Sequence, residues 1–297
     1  MRLKVWVLET RPQFLILSVV LAFLGTSLAW YDGHWNIGHA LLAGFGLILT
    51  HISVNTLNDY FDYQSGVDLA VRRTPFSGGS GVLPTGQLKP RQVLWLGVGS
   101  LLVAVPIGAY FVIVRGWWLL PLLLVAAACI VRYTPVVLKT PHPEWVAGLG
   151  LGALPVLGMY YAQAGTYTWP VLFASIPSGI LVLNLLLLNE FPDVEADRQG
   201  GRTTTPITSG LAGASLVYTV ATAFTYAWIV AGIVGRIMPA YAAIALLTIP
   251  LAIKAVLGAQ RSAEPARLMP AMANNVLVVL LTQMLLGLAY ILEKGLS

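Results

Sequence analysis

Residues 37–62 read IGHALLAGFGLILTHISVNTLNDYFD, a largely apolar stretch that runs into Asn58, Asp59 and Asp62. Residues 169–197, WPVLFASIPSGILVLNLLLLNEFPDVEAD, repeat the pattern and end in Asn189, Asp193 and Asp197. Each stretch holds the roughly 20 mostly apolar residues that a helix needs to cross a bilayer. Each also gathers its carboxylates at one end instead of spreading them along a solvated face. A soluble helix alternates apolar and charged faces, and these two do not.

Seven further runs follow the same rule, at 12–31, 92–113, 117–134, 145–163, 212–235, 239–258 and 271–292, which makes nine. The chain is 57% hydrophobic and only 10% charged, against roughly 25% charged in a soluble domain. Backbone groups in lipid must be paired within their own segment, so the runs are expected to be helices; they alternate too little for barrel strands. The expectation is an all-α membrane protein, with about nine transmembrane helices in one bundle and residues 1–297 forming a single domain. No small-residue cleavage site follows the first run, which therefore reads as a retained helix and not a signal peptide. The lone Cys129 rules out a disulfide framework. The basic residues are too few and too scattered for a nucleic-acid face.

Their scatter has another order. Fourteen of the 17 Lys and Arg residues fall on one side, twelve of them before the first run or in the loops after the second, fourth, sixth and eighth, with Arg132 and Lys254 near the same ends of the fourth and eighth runs; only Arg115, Arg236 and Lys294 fall on the opposite side. The positive-inside rule then puts the N-terminus and those even loops in the cytoplasm, as expected for a multi-pass protein of a cell (inner) membrane. The same loops are the long ones. That after the second run spans about 59–91 and carries Pro75, Gly78, Gly79, Gly81 and Pro84. It reads as a partly ordered cap, joined by the loops after the fourth and sixth runs.

Seven of the 12 acidic residues sit in two short windows, 59–68 and 190–197. The windows match. Asn58-x3-Asp62 has the spacing of Asn189-x3-Asp193, and Asp68-x4-Arg73-Thr74 that of Asp197-x4-Arg202-Thr203. Residues four apart share a helix face. Two such faces, opposed, present amide and carboxylate oxygens to one point, the ligand set that Mg²⁺ prefers. One window alone reads equally well as helix-capping Asn and Asp; two matched windows in a charge-poor chain point to a site. Mg²⁺ held by few carboxylates leaves positions for phosphate oxygens, and Arg73, Lys139 and Arg202 lie in the same loops to meet phosphate charge. A diphosphate with a lipid tail fits this set and this setting.

At these residues the sequence resembles the UbiA superfamily of intramembrane prenyltransferases. The likeness takes in the two acidic motifs, Arg11-Pro12 before the first run, Tyr133-Thr134-Pro135 after the fourth, and Lys139. Residues 73–81 and 152–165 are similar to its branch of 1,4-dihydroxy-2-naphthoate polyprenyltransferases, which serve menaquinone synthesis. Two departures stand out: Gly66 occupies a place where the wider family often has an acid, the next here being Asp68, and Pro192 replaces a basic residue of the naphthoate branch.

The resemblance implies Mg²⁺-dependent transfer of a polyprenyl group from a prenyl diphosphate to an aromatic acceptor, dihydroxynaphthoate in that branch. It implies two Mg²⁺ ions held by Asn58, Asp62, Asp68, Asp193 and Asp197. Arg11, Arg73 and Arg202, with Asn58, Asp59 and Asn189, would bind the diphosphate and its metals. Asp62, Asp193, Asp197, Lys139 and Tyr133 would stand closest to the chemistry, Lys139 gripping the diphosphate. Partners would be the two substrates and membrane lipid, with no nucleic acid. Two rivals stay open at this stage: a terpene cyclase of the same family, and a cation-coupled transporter.

Three details carry structural expectations. Pro192 removes a hydrogen-bond donor and clashes one turn back, so the sixth helix either unwinds there or simply ends. His51 reads as a packed, hydrogen-bonded side chain. Glu144 favours the N-terminal dipole of the fifth helix.

Overall fold

The computed structural model describes residues 2–71, 73–262 and 265–296; Arg72 of the orientation pattern and Glu264 of the acidic tally lie outside them. Among the described residues the secondary structure is entirely helical. A short helix α1 (Arg2–Glu9) leads into α2 (Pro12–Tyr31), α3 (Ile37–Ser65) and a single turn α4 (Val67–Ala70). There follow α5 (Pro90–Arg115), α6 (Leu119–Arg132) and α7 (Glu144–Ala164). The chain continues through α8 (Trp169–Asn189), the short α9 (Val194–Gln199), α10 (Thr205–Val234), α11 (Ala240–Ala259) and α12 (Pro265–Leu296).

Eight of the nine expected runs are long, apolar helices of membrane-spanning length. The fourth, expected over 117–134, forms α6, which has only 14 residues. At 1.5 Å per residue α6 reaches about 21 Å, short of the ~30 Å hydrocarbon core. Side chains such as Leu41, Ile113, Leu124, Leu216 and Leu247 are more than 60% exposed, which lipid explains and water does not. Exposed Trp35, Trp117, Trp118 and Trp169 cluster at the helix ends remote from the acidic motifs, where tryptophan anchors a membrane interface.

Small residues set how closely the helices approach. A Cβ on Gly148 or Gly152 of α7 would lie 2.5 Å from the Gly179 or Ser178 carbonyl oxygen of α8, and one on Gly25 of α2 would lie 2.6 Å from the Met159 Cβ of α7. Close backbone contact is the usual means of packing helices in a solvent as apolar as their own side chains. Residues Leu149–Ala153 within α7 adopt a π-helical turn. Pro155 has no N–H to give Leu151, which is the local cause. Gly150 and Leu151 of that loosened turn line the interior.

Helix α3 runs seven residues beyond the predicted end at 58, so Asn58, Asp59 and Asp62 project from a helix and not from a loop. Helix α8 stops at Asn189; Phe191–Asp193 form a 3₁₀ turn around Pro192, and α9 starts afresh at Val194. Pro192 therefore unwinds the segment and redirects Asp197. Glu144 does more than favour its own helix. Its carboxylate accepts from Thr205 N at 2.7 Å and Thr205 Oγ1 at 3.0 Å, capping the start of α10 across the bundle.

Candidate active site

The two acidic motifs meet through one arginine. Arg202 donates from its Nη1 to Asp197 Oδ1 at 2.6 Å and from its Nη2 to Asp62 Oδ1, so its fork spans the α3 motif and the α9 motif. All three side chains are nearly buried, at 13%, 1% and 9% exposure for Arg202, Asp197 and Asp62. Burial works against a charged Arg202, but the carboxylates of Asp62 and Asp197 outweigh it and hold its pKa above the usual arginine value.

Around this bridge lies a mouth lined by Arg11, Asn58, Asp62, Asp68, Tyr133, Asn189, Glu190, Asp193, Asp197 and Arg202. On α3, Asn58 Nδ2 donates to Asp62 Oδ2 at 3.0 Å and to Thr134 Oγ1 at 3.1 Å, tying the motif to the Tyr133-Thr134 turn. Asp59 points away from the mouth lining: its Oδ2 accepts from Ser80 N at 2.7 Å, and its Oδ1 lies 3.5 Å from Arg11. Arg11 takes up left-handed backbone angles, φ 55 and ψ 60, uncommon outside glycine. The bend it makes before Pro12 brings its guanidinium to the cleft.

The loop after α4 closes over the mouth. Ser77 Oγ donates to Asp193 Oδ1 at 3.3 Å, and Ser80 Oγ donates to Glu9 Oε2 at 2.8 Å. Arg73 holds this loop from outside, donating to the carbonyls of Gly79 and Ser80. Gly81, at φ 73, leaves room for that arginine; a Cβ there would run into the Arg73 guanidinium.

Glu9 was not among the residues expected at the site. It is fully buried, and burial, with Asp59 nearby, pushes its carboxyl up to about 8. Burial, with Asp59 and Asp62, likewise raises Asp68 to about 8. A helix of eight residues separated from the motifs by fifty positions offers no spacing signal, so only the fold reveals Glu9.

Of the expected residues, Arg11, Asn58, Asp62, Asp68, Tyr133, Asn189, Asp193, Asp197 and Arg202 come together at the mouth. Asp59 sits behind it, Arg73 on the outer side of the loop, and Lys139 is exposed and outside the mouth lining.

Several buried oxygens here have no hydrogen-bond partner: Asp197 Oδ2, Asn189 Oδ1 and Tyr133 OH. Buried polar atoms are rarely left so. Oxygen donors from both motifs suit a hard divalent cation. Among the described residues, no three His, Cys, Asp or Glu side chains converge as a closed metal cage. An ion held by one or two of these carboxylates keeps positions free for phosphate oxygens, the usual habit of Mg²⁺.

Beneath the mouth the space continues. A chamber shares Arg11, Asn58, Tyr133 and Asn189 with it and adds His51, Asn55 and an apolar wall. A third void, almost wholly apolar, meets the chamber at Ile130, Gly150 and Leu151. The last two belong to the π-turn of α7. A polar, arginine-bridged head site, a mixed chamber and an apolar channel thus lie in line.

This layout is that of a membrane-embedded transferase for substrates with an anionic head and a hydrocarbon tail. The chain belongs to the UbiA prenyltransferase family, whose sequence profile matches residues 16–285; it is a prenyltransferase. It is 29% identical to a 1,4-dihydroxy-2-naphthoate octaprenyltransferase of Bacillus subtilis, over 90% of this chain and 85% of the relative. Its fold is similar to that of a UbiA homolog from Aeropyrum pernix, with a TM-score of 0.72 at 19% identity, covering 94% of this chain and 98% of that one. A UbiA homolog from Archaeoglobus fulgidus, solved with GPP and Mg²⁺, has a TM-score of 0.61 at 15% identity, covering 95% and 99%. Family membership sets aside the transporter alternative.

Proposed function

We propose that this enzyme transfers a polyprenyl group from its diphosphate to 1,4-dihydroxy-2-naphthoate, in menaquinone biosynthesis and in a Mg²⁺-dependent manner. The observation that carries the reading is the Arg202 bridge between Asp62 and Asp197, set at the head of a mixed chamber and an apolar channel that share lining residues. The name of the Bacillus subtilis relative supports the acceptor, and the Mg²⁺ of the Archaeoglobus fulgidus homolog supports the metal. The even loops carry the positive charge, so the mouth faces the cytoplasm of a cell membrane.

In this reading Asn58, Asp62, Asp68, Asp193 and Asp197 would hold two Mg²⁺ ions, and the metal would supply charge neutralisation for the departing pyrophosphate. Arg11 binds phosphate oxygens through its fork, Arg202 adds its charge beside them while bridging Asp62 and Asp197, and Asn189 is turned toward the same point. Asp59 orients the loop backbone through Ser80, and Arg73 locks that loop from outside. Lys139, exposed next to Leu138 of the mouth lining, adds positive charge for the arriving diphosphate. Tyr133 lies at the boundary of mouth and chamber, beside the carbon that loses its oxygen. The apolar wall of the chamber and the channel below it keep water from the allylic cation until the acceptor ring carbon bonds to it; the acceptor's carboxylate leaves as carbon dioxide.

The test is incubation of purified protein with a polyprenyl diphosphate, dihydroxynaphthoate and Mg²⁺, read by mass spectrometry. A prenylated, decarboxylated naphthol supports the reading. A cyclic hydrocarbon formed without acceptor, or no naphthol product with it, would overturn it.

A further inference from the structure

His51 lies near the middle of α3, as far from Ile37 as from Ser65. An ionisable side chain at that depth in a membrane helix needs a reason. It is 3% exposed, and its Nδ1 lies 2.7 Å from Ser18 Oγ of α2. That is its one hydrogen bond among the described residues, so Nε2 is not engaged by the protein. The ring lines the chamber below the mouth.

Its neighbours on the same face are committed. Asn55 donates to the Thr10 carbonyl at 3.1 Å, and Asn58 to Asp62 and Thr134. Facing them are apolar groups such as Leu17, Ile130, Leu151 and Val182. The chamber's other uncommitted oxygens, Tyr133 OH and Asn189 Oδ1, belong to the end it shares with the mouth, beside Arg11; away from that end it offers a flat aromatic ring an apolar slot with few groups to receive its hydroxyls. A hydroxyl buried there without a partner forfeits the hydrogen bonds it had in water.

The position of the reaction restricts what enters. With the diphosphate at the mouth and the tail in the channel, the reacting carbon of the prenyl group lies in the chamber. The acceptor ring must lie there too. His51 stands two helical turns, about 10 Å, deeper than Asn58, level with the end of the ring farther from the mouth. When Nδ1–H is donated to Ser18 Oγ, Nε2 is left as an acceptor.

We infer that His51 is a specificity-determining residue of this enzyme, its Nε2 accepting a hydrogen bond from the aromatic acceptor's 4-hydroxyl while Ser18 fixes the ring. The inference rests on the proposed naphthoate acceptor and adds to it a residue that reads one hydroxyl.

The experiment compares wild type, His51→Leu and His51→Gln in detergent, varying dihydroxynaphthoate and prenyl diphosphate separately. 1-Hydroxy-2-naphthoate, which lacks the 4-hydroxyl, serves as a competing ligand. The H51L variant is expected to raise KM for dihydroxynaphthoate about tenfold, the scale of one buried hydrogen bond, with KM for the prenyl diphosphate unchanged. H51Q, which keeps an acceptor, should recover most of the loss. The inhibition constant of 1-hydroxy-2-naphthoate should be the same in all three. An equal loss for both naphthoates, or a rise in both KM values, would make His51 a packing residue and overturn the inference. No turnover of dihydroxynaphthoate by wild type would instead overturn the acceptor reading, and this inference with it.

Discussion

Replacing Arg202 by alanine isolates the contact that joins the two motifs. The guanidinium is 13% exposed and contacts Asp62, 9% exposed, and Asp197, 1% exposed. Its removal leaves two buried carboxylates facing each other without a cation. Breaking a buried pair from one side costs about 3–5 kcal/mol, because the remaining charge is uncompensated. At roughly 2 °C per kcal/mol for a chain of this size, that is a fall of about 6–10 °C in the apparent unfolding midpoint. The assay is thermal unfolding in detergent, with and without millimolar Mg²⁺. Mg²⁺ is expected to restore at least half of the loss in R202A, since a cation between Asp62 and Asp197 replaces the charge removed. Wild type, already neutralised by Arg202, should gain less. An R202A midpoint within about 1 °C of wild type would refute the bridge, and an R202A protein indifferent to Mg²⁺ would refute the metal's place between the motifs.

Three other outcomes follow from the same geometry. Gly81→Ala places a Cβ against the Arg73 guanidinium at a positive φ, at a cost of about 1–2 kcal/mol in backbone strain alone; the helices should stay folded by circular dichroism while activity falls at least tenfold. Glu9 is held at about 8 in the folded protein against 4.5 ordinarily, so the folded state binds the extra proton between those values. The stability this gives is full below about pH 4.5 and is lost as pH rises through 8: metal-free protein should melt lower at pH 9 than at pH 6, and Glu9→Gln should flatten that slope. Tyr133→Phe removes a buried hydroxyl that has no hydrogen-bond partner; the melting midpoint should stay within about 1–2 °C while kcat drops about tenfold or more, if the hydroxyl serves the substrate.

How much of this was legible in the sequence differs from element to element. The first run, 12–31, matches α2 residue for residue, because Pro12 starts the helix and Asp32-Gly33 end it. The end of α3 was misplaced by seven residues. Asn58, Asp59 and Asp62 read as helix-stopping residues, yet Asp59 is held by Ser80 and Arg11, and Asp62 by Arg202. Those long-range partners satisfy polar groups that would otherwise pull the chain into a turn, and no local spacing announces them.

Helix α6 is the shortest expected run, and it proves shorter still, with Trp117-Trp118 and Tyr133-Thr134 in turns at its two ends. The matched Asp-x4-Arg halves were visible in the sequence, but their use is unequal. Arg202 turns inward to both motifs, whereas Arg73 turns to loop carbonyls. The repeat predicted symmetry, and the glycines 78, 79 and 81 break it by letting the loop wrap around Arg73. Glu9 and the uncommitted nitrogen of His51 depend wholly on tertiary placement.

The central claim is that the motifs of α3 and α9 hold divalent metal jointly, as halves of one site. Electron paramagnetic resonance of bound Mn²⁺, titrated into purified protein with pyrophosphate present, tests it most directly. Wild type should bind Mn²⁺, and Asp62→Asn and Asp193→Asn should each weaken binding by an order of magnitude or more. Undiminished Mn²⁺ binding in either variant would contradict the claim, because one half of the site would then hold the metal without the other.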